Sequence, residues 1–240
     1  MPSLTTPGIV LRHANYRDHD RMLTILSPYY GRLDVLSRGC RRPKSALMPA
    51  SELFVHGEFV CYQQNDRATL SSCEISDTFY PLRLDPYRLI CASYMTALCA
   101  ATVQPGDDAA ALYALLLKGL FYLSYEKEAD PLETTTAFLL LFADATGYRP
   151  RLSRCAHCRT PLELENGAPF DVAAGGLCCP GCASRSTYPM QRSDIVWMSE
   201  TIRGGLKPQK NTGAGTLFNV LRRYVEMRLE TPIKVSKLLP

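Results

Sequence analysis

The spacing of apolar residues changes character along the chain and divides it into three parts. From Gly8 to about Phe79, short apolar or alternating stretches recur at Gly8–His13, Arg21–Leu26, Arg32–Ser37, Leu53–Tyr62 and Ala68–Ile75. Alternation with a period of two, bounded by turn residues, is the pattern of half-buried strands. These segments predict five strands, with Ser27-Pro-Tyr-Tyr-Gly31 joining the second to the third. Gly57, inside the long fourth segment, marks a bulge. Five strands in about 80 residues are the inventory of an OB-fold, a small Greek-key barrel. An SH3-like barrel has the same strand count.

The period changes at Asp85-Pro86, where an acidic N-cap is followed by proline at the first helical position. A helix is expected over Tyr87–Val103 and ends at Gln104-Pro-Gly106; a second runs from Asp107 to Glu126. The third opens at Asp130-Pro131, with Glu133 completing a capping box, and closes at Gly147. Apolar faces at Leu112, Leu115, Leu116, Leu120 and Tyr122, and at Phe138, Leu139, Leu141 and Phe142, predict a helical bundle. Helical pattern returns at Ser193–Ile202, ended by Gly204-Gly205, and at Ala214–Glu230, ended by Thr231-Pro232. The expected class is therefore α+β: an OB-fold barrel over residues 1–80, then a helical domain over 81–240. Residues 150–188 interrupt that domain with neither period.

The interruption holds the strongest chemical signal. Cys155-Ala-His-Cys158 and Cys179-Pro-Gly-Cys182 are two C-x2-C pairs separated by 20 residues. Each pair can aim two thiolates at one tetrahedral ion, and four soft sulfur ligands favour zinc. A shell closed by four sulfurs leaves no place for a reactive water, so one structural Zn2+ is expected. A disulfide or redox pair would also use C-x2-C, but these pairs lie among turn residues such as Pro161, Asn166-Gly167 and Gly175-Gly176, not between a strand and a helix. Cys178 offers an alternative to Cys179, and His157 reads as a solvated loop residue. Cys40, Cys61, Cys73, Cys91 and Cys99 read as small hydrophobes in a reducing compartment.

Charge sharpens the functional expectation more than overall composition does. The net charge is only +4, yet residues 81–150 carry 5 basic and 8 acidic groups while residues 185–240 carry 10 and 4. Within the nearly neutral first part, Arg38, Arg41, Arg42 and Lys44 form a run with no acid between them. Such a cluster suits a polyanion. Lys207, Lys210, Arg222, Arg223, Arg228 and Lys237 supply a basic C-terminal part, and Tyr29 and Tyr30 read either as rings that stack on bases or as half-buried barrel aromatics. The longest apolar run, Ala109–Leu117, is far below the ~20 residues that span a bilayer, and the N-terminus lacks a signal-peptide pattern. A cytosolic protein without membrane contact is expected. Phosphate-loop, zinc-protease and complete dinucleotide motifs are missing, and the four histidines have no ligand spacing, so no enzyme is expected.

In this order, barrel, basic loop, helices and cysteine segment, the chain resembles the RecO family of DNA repair and recombination mediators, in its zinc-containing branch. The resemblance rests on Gly31-Arg32, Arg38-Gly39, Arg41-Arg42-Pro43-Lys44-Ser45 and Gly147-Tyr148-Arg149-Pro150. Gly175-Gly176-Leu177 before the second cysteine pair and the closing Pro232–Leu239 continue it. It implies an ATP-independent, nucleoid-associated protein that binds single- and double-stranded DNA and anneals complementary strands. It further implies work with RecR to load RecA, indirectly, on DNA coated with single-strand-binding protein, whose acidic C-terminal tail would dock on the helical domain. From the residues alone, an OB-fold and zinc-ribbon RNA-binding module is the alternative.

Overall fold

The computed structural model describes residues 3–64, 67–208, 212–230 and 232–239. Lys210, Thr231 and the side chain of Lys237, all singled out above, lie outside the described residues. The chain divides into two compact units, Met1–Tyr125 and Glu126–Pro240.

Five strands form the first unit's barrel: β1 (Ser3–Tyr16), β2 (Asp20–Ser27), β3 (Gly31–Ser37), β4 (His56–Gln64) and β5 (Arg67–Asp77). They close in the order β1-β2-β3-β5-β4, with β4 returning to β1. All pairings are antiparallel except β3 with β5, which is parallel. This closure decides for the OB-like barrel. Val10, Leu23, Ile25, Val35, Phe59 and Leu70 fill the interior, the inward half of the alternation read from the sequence. The strands extend beyond the apolar runs because backbone pairing continues where side chains are already solvated; β1 alone has 14 residues.

The register shifts between His56 and Gly57, but the extra residue is Ser76 of β5, so the bulge expected in the fourth strand lies on its partner. A Cβ on Gly57 would stand 2.3 Å from the Glu74 carbonyl oxygen, so glycine is required by close backbone approach. Fourth-strand pairing begins at His56 instead of Leu53, because Phe54 takes the left-handed region at φ 70 and turns into the core.

Helices α1 (Pro86–Thr102) and α2 (Ala110–Tyr125) pack on each other and on the barrel. The Asp85 side chain accepts the N–H groups of Tyr87 and Arg88, as its capping position requires. The first compact unit therefore extends past the change from strands to helices near residue 80.

The second unit is built around α3 (Pro131–Ala145), with α4 (Arg192–Gly204) and α5 (Phe218–Leu229) packed against it. Every residue of α3 from Glu133 to Ala143 is buried, so this is a core helix, not an amphipathic one. Thr134, Thr135 and Thr136 each return a hydroxyl to the carbonyl four residues back, at 2.7 Å, which satisfies three polar groups inside the core. Asp130 caps α3 through the Glu133 N–H. The expected capping box is not completed, however. The Glu133 carboxylate instead accepts from the Thr212 N–H and hydroxyl and the Gly213 N–H, all within 2.9 Å. Between α3 and α4, β6 (Ala168–Asp171), β7 (Gly176–Leu177) and β8 (Tyr188–Met190) form a small sheet in the order β7-β6-β8.

Candidate metal centre and basic loop

Two tight turns bring the paired cysteines together. In the first, the Cys155 carbonyl accepts the Arg159 N–H and the Cys155 N–H returns to the Thr160 carbonyl, with Arg159 in the left-handed region at φ 64. The Ala156 N–H also donates to the Leu177 carbonyl at 2.8 Å, tying this turn to β7. In the second, a 3-10 turn over Pro180–Cys182 returns the Cys182 N–H to the Cys179 carbonyl at 3.0 Å.

The sulfur atoms of Cys155, Cys158, Cys179 and Cys182 all lie within 4.8 Å of one another. Those of Cys158 and Cys179 are 3.7 Å apart. A tetrahedral ion with sulfur bonds of about 2.3 Å has ligand edges of about 3.8 Å. The donor set thus fits a metal ion, and the separation is far too long for a disulfide, which needs about 2.05 Å.

The electrostatics agree. Backbone hydrogen bonds from Cys179, then from Cys158, draw the Cys155 thiol down to about 5. Thr160, through its side chain first, lowers Cys158. Once neighbouring sulfurs are charged or accepting, the remaining thiol resists ionising: hydrogen bonding to Cys179, then Cys158, pushes Cys182 up to about 12. A cation among the sulfurs would relieve that conflict.

Cys179, not Cys178, joins this group. Cys178 is fully buried and faces a second cluster with His157 and Asp171. His157 is more than a solvated loop residue, since its Nε2 lies 3.0 Å from Asp171 Oδ2. Burial alone would raise the Asp171 carboxyl, but the Ala174 N–H and His157 outweigh it and hold it below the usual range. Asp171 Oδ1 accepts the N–H groups of Ala173 and Ala174, so one carboxylate joins the first cysteine turn to the β6–β7 connection.

The basic run forms a chain of turns after β3. Gly39, at φ 63, donates its N–H to Asp20 Oδ1 at 2.7 Å. Arg42 donates to the Gly39 carbonyl, Ser45 to that of Arg42, and Met48 to that of Ser45. Cys40 is buried beneath these turns while Arg38, Arg41, Arg42 and Lys44 are all exposed. The Arg41 backbone N–H reaches the His19 carbonyl at 2.9 Å, and its Nη1 reaches the Asp18 carbonyl at 3.2 Å. This stitches the loop to the β1–β2 turn and brings exposed Arg17 beside it.

Arg17 is separated from the basic run in sequence, 21 positions before Arg38 in a stretch with balancing acids. Strand parity was the available signal: in consecutive antiparallel strands, the first turn and the end of the third strand share one end of the sheet. By the same parity, Tyr29 and Tyr30 stand at the other end of β3, roughly 20 Å away at strand rise. Tyr29 is 70% and Tyr30 42% exposed, so both rings lie outside the barrel core.

The comparisons with known proteins bear on the whole chain. Residues 1–79 match the family described as "Recombination protein O N terminal", and residues 83–237 match "Recombination protein O C terminal". The chain belongs to the RecO family. A relative named DNA repair protein RecO from Symbiobacterium thermophilum is 34% identical over 240 residues, covering 97% of this chain and 94% of its own. RecO proteins from Moorella thermoacetica and Acetivibrio thermocellus are each 34% identical, over 76% and 81% of this chain and 67% and 76% of theirs. No helix among the described residues is long and apolar enough to cross a membrane.

Proposed function

We propose that this RecO protein binds single- and double-stranded DNA and anneals complementary strands without ATP. With RecR, it helps RecA to load on DNA coated with single-strand-binding protein. The observation that carries the reading is the family match along the chain combined with the exposed Arg38–Lys44 turn on an OB-like barrel.

Arg38, Arg41, Arg42 and Lys44, joined by Arg17, contact phosphates and release counterions, giving affinity without sequence preference. Base pairing supplies the selectivity, and the protein lowers the repulsion between two polyanions. The barrel over 1–80 is the DNA-binding domain, and the helices of 81–240 follow it, α1 and α2 within the barrel's compact unit and the remainder carrying the inserted metal segment of 150–188. Cys155, Cys158, Cys179 and Cys182 hold one Zn2+, which staples a segment too small to bury a core of its own. The acidic tail of single-strand-binding protein docks on the helical domain. The protein is not an enzyme and works in the cytoplasm, at the nucleoid.

The test is strand annealing on DNA coated with single-strand-binding protein, with and without ATP, alongside a titration of single-stranded DNA against RNA. Annealing independent of ATP and a preference for DNA are expected. No annealing, or stronger binding of RNA, would replace this reading with that of an RNA-binding module.

A further inference from the structure

An annealing protein must manage two strands, and the barrel turn accounts for one. In the second unit, a groove of about 460 Å³ runs between the segment leading into the first cysteine turn and the C-terminal half of α4. Arg149, Arg151, Arg154 and Arg203 line it over an apolar floor that includes Leu152 and Ile202.

Only Arg149 is neutralised, by Asp144 at 2.5 Å. Arg151 donates to the Ala156 carbonyl, Arg154 to that of Arg159, and Arg203 to that of Ser199. Among the described residues, none of these three has a carboxylate within ion-pair distance. Each guanidinium has five N–H donors and uses one of them here, so most of its hydrogen-bonding capacity faces water. A row of such groups above an apolar floor suits a single strand: phosphates take the guanidinium forks while an unstacked base covers the floor. Duplex DNA has no free base face to offer that floor.

We infer that this groove is a second single-strand contact, made of residues other than the barrel turn, and that it holds the incoming strand during annealing. The inference rests on the annealing reading above and names its second site.

The experiment compares the full chain with Arg151→Gln/Arg154→Gln/Arg203→Gln, and with the single variant Arg203→Gln, which changes only α4. Zinc content and thermal melting check that both variants fold. Two non-complementary labelled strands report bridging by energy transfer, and complementary strands report annealing. The triple variant is expected to keep one strand through the barrel turn, lose bridging, and anneal about tenfold more slowly or worse. At about 0.7 units of salt slope per single-strand contact, the second strand's dependence falls by about two units. Arg203→Gln is expected to show a fraction of each effect.

Bridging and annealing at the unaltered rate in the folded triple variant would overturn the inference and leave the annealing reading standing. An acidic peptide that binds the groove arginines while bridging is unchanged would overturn it in favour of a protein partner. If the unaltered chain binds one strand but does not anneal, the annealing reading itself falls.

Discussion

Single residues carry more than their local patterns suggested. Glu133 reads as half of a capping box, but it is 3% exposed and accepts from Thr212 and Gly213, some 80 positions away. Replacing it with Ala removes the acceptor that ties the exposed Thr212–Gly213 turn to α3, and a loss of about 1–3 kcal/mol is expected in urea unfolding. His56 is a second case: its Nε2 lies 2.7 Å from the Tyr113 hydroxyl. Burial lowers its pKa below 6.5, against a smaller opposing pull from Asp77. The unfolded chain therefore takes up the proton more readily than the native state. Stability from this group is complete above about pH 6.5 and is lost as the pH falls through that value toward the folded pKa. Unfolding measured between about pH 7.5 and 5.5 should show that slope, and His56→Gln should flatten it. Both partners became visible only after folding, because the pairings join residues far apart in the chain.

At the scale of elements, the features legible beforehand were those with local causes. The five strands follow from alternation, the start of α1 from Asp85-Pro86, and the cysteine turns from the reach of C-x2-C. The three-stranded sheet β6–β8 was not legible: β7 has two residues and β8 three, too few for a periodic pattern. Its support comes from the cysteine cluster, the His157–Asp171 contact and α5, whose Tyr224 ring meets Phe170 edge-on and whose Arg228 donates to the Ala173 carbonyl. Removing the metal is therefore expected to unfold this segment before the rest of the second unit. Elemental analysis of protein purified without added metal should find one zinc per chain, and a chelator or Cys155→Ser should abolish protection of the β6–β8 amides against hydrogen exchange while those of the barrel persist.

For the whole molecule, placement matters more than net charge. Arg38, Arg41, Arg42 and Lys44 gain Arg17 from another turn, whereas Tyr29 and Tyr30, closer to Arg38 in sequence than Arg17, stand at the opposite end of β3. Changing the four loop cations to Ala should weaken DNA binding and reduce its salt slope by about 0.7–0.9 per lost contact, measured by fluorescence titration. Adding Arg17→Ala should lower the slope by one further step of similar size, while an unchanged slope would remove Arg17 from the surface. The sequence by itself determined what depends on neighbours in the chain: strands, helix starts, the cationic run, the ligand pairs and the family. Tertiary structure alone decided the parallel β3–β5 closure that makes the barrel OB-like and the assignment of α1 and α2 to the barrel's unit, and it removed Cys178 as the alternative to Cys179. It also decided the gathering of the groove arginines. Each of these depends on distances through space between residues that no local period connects.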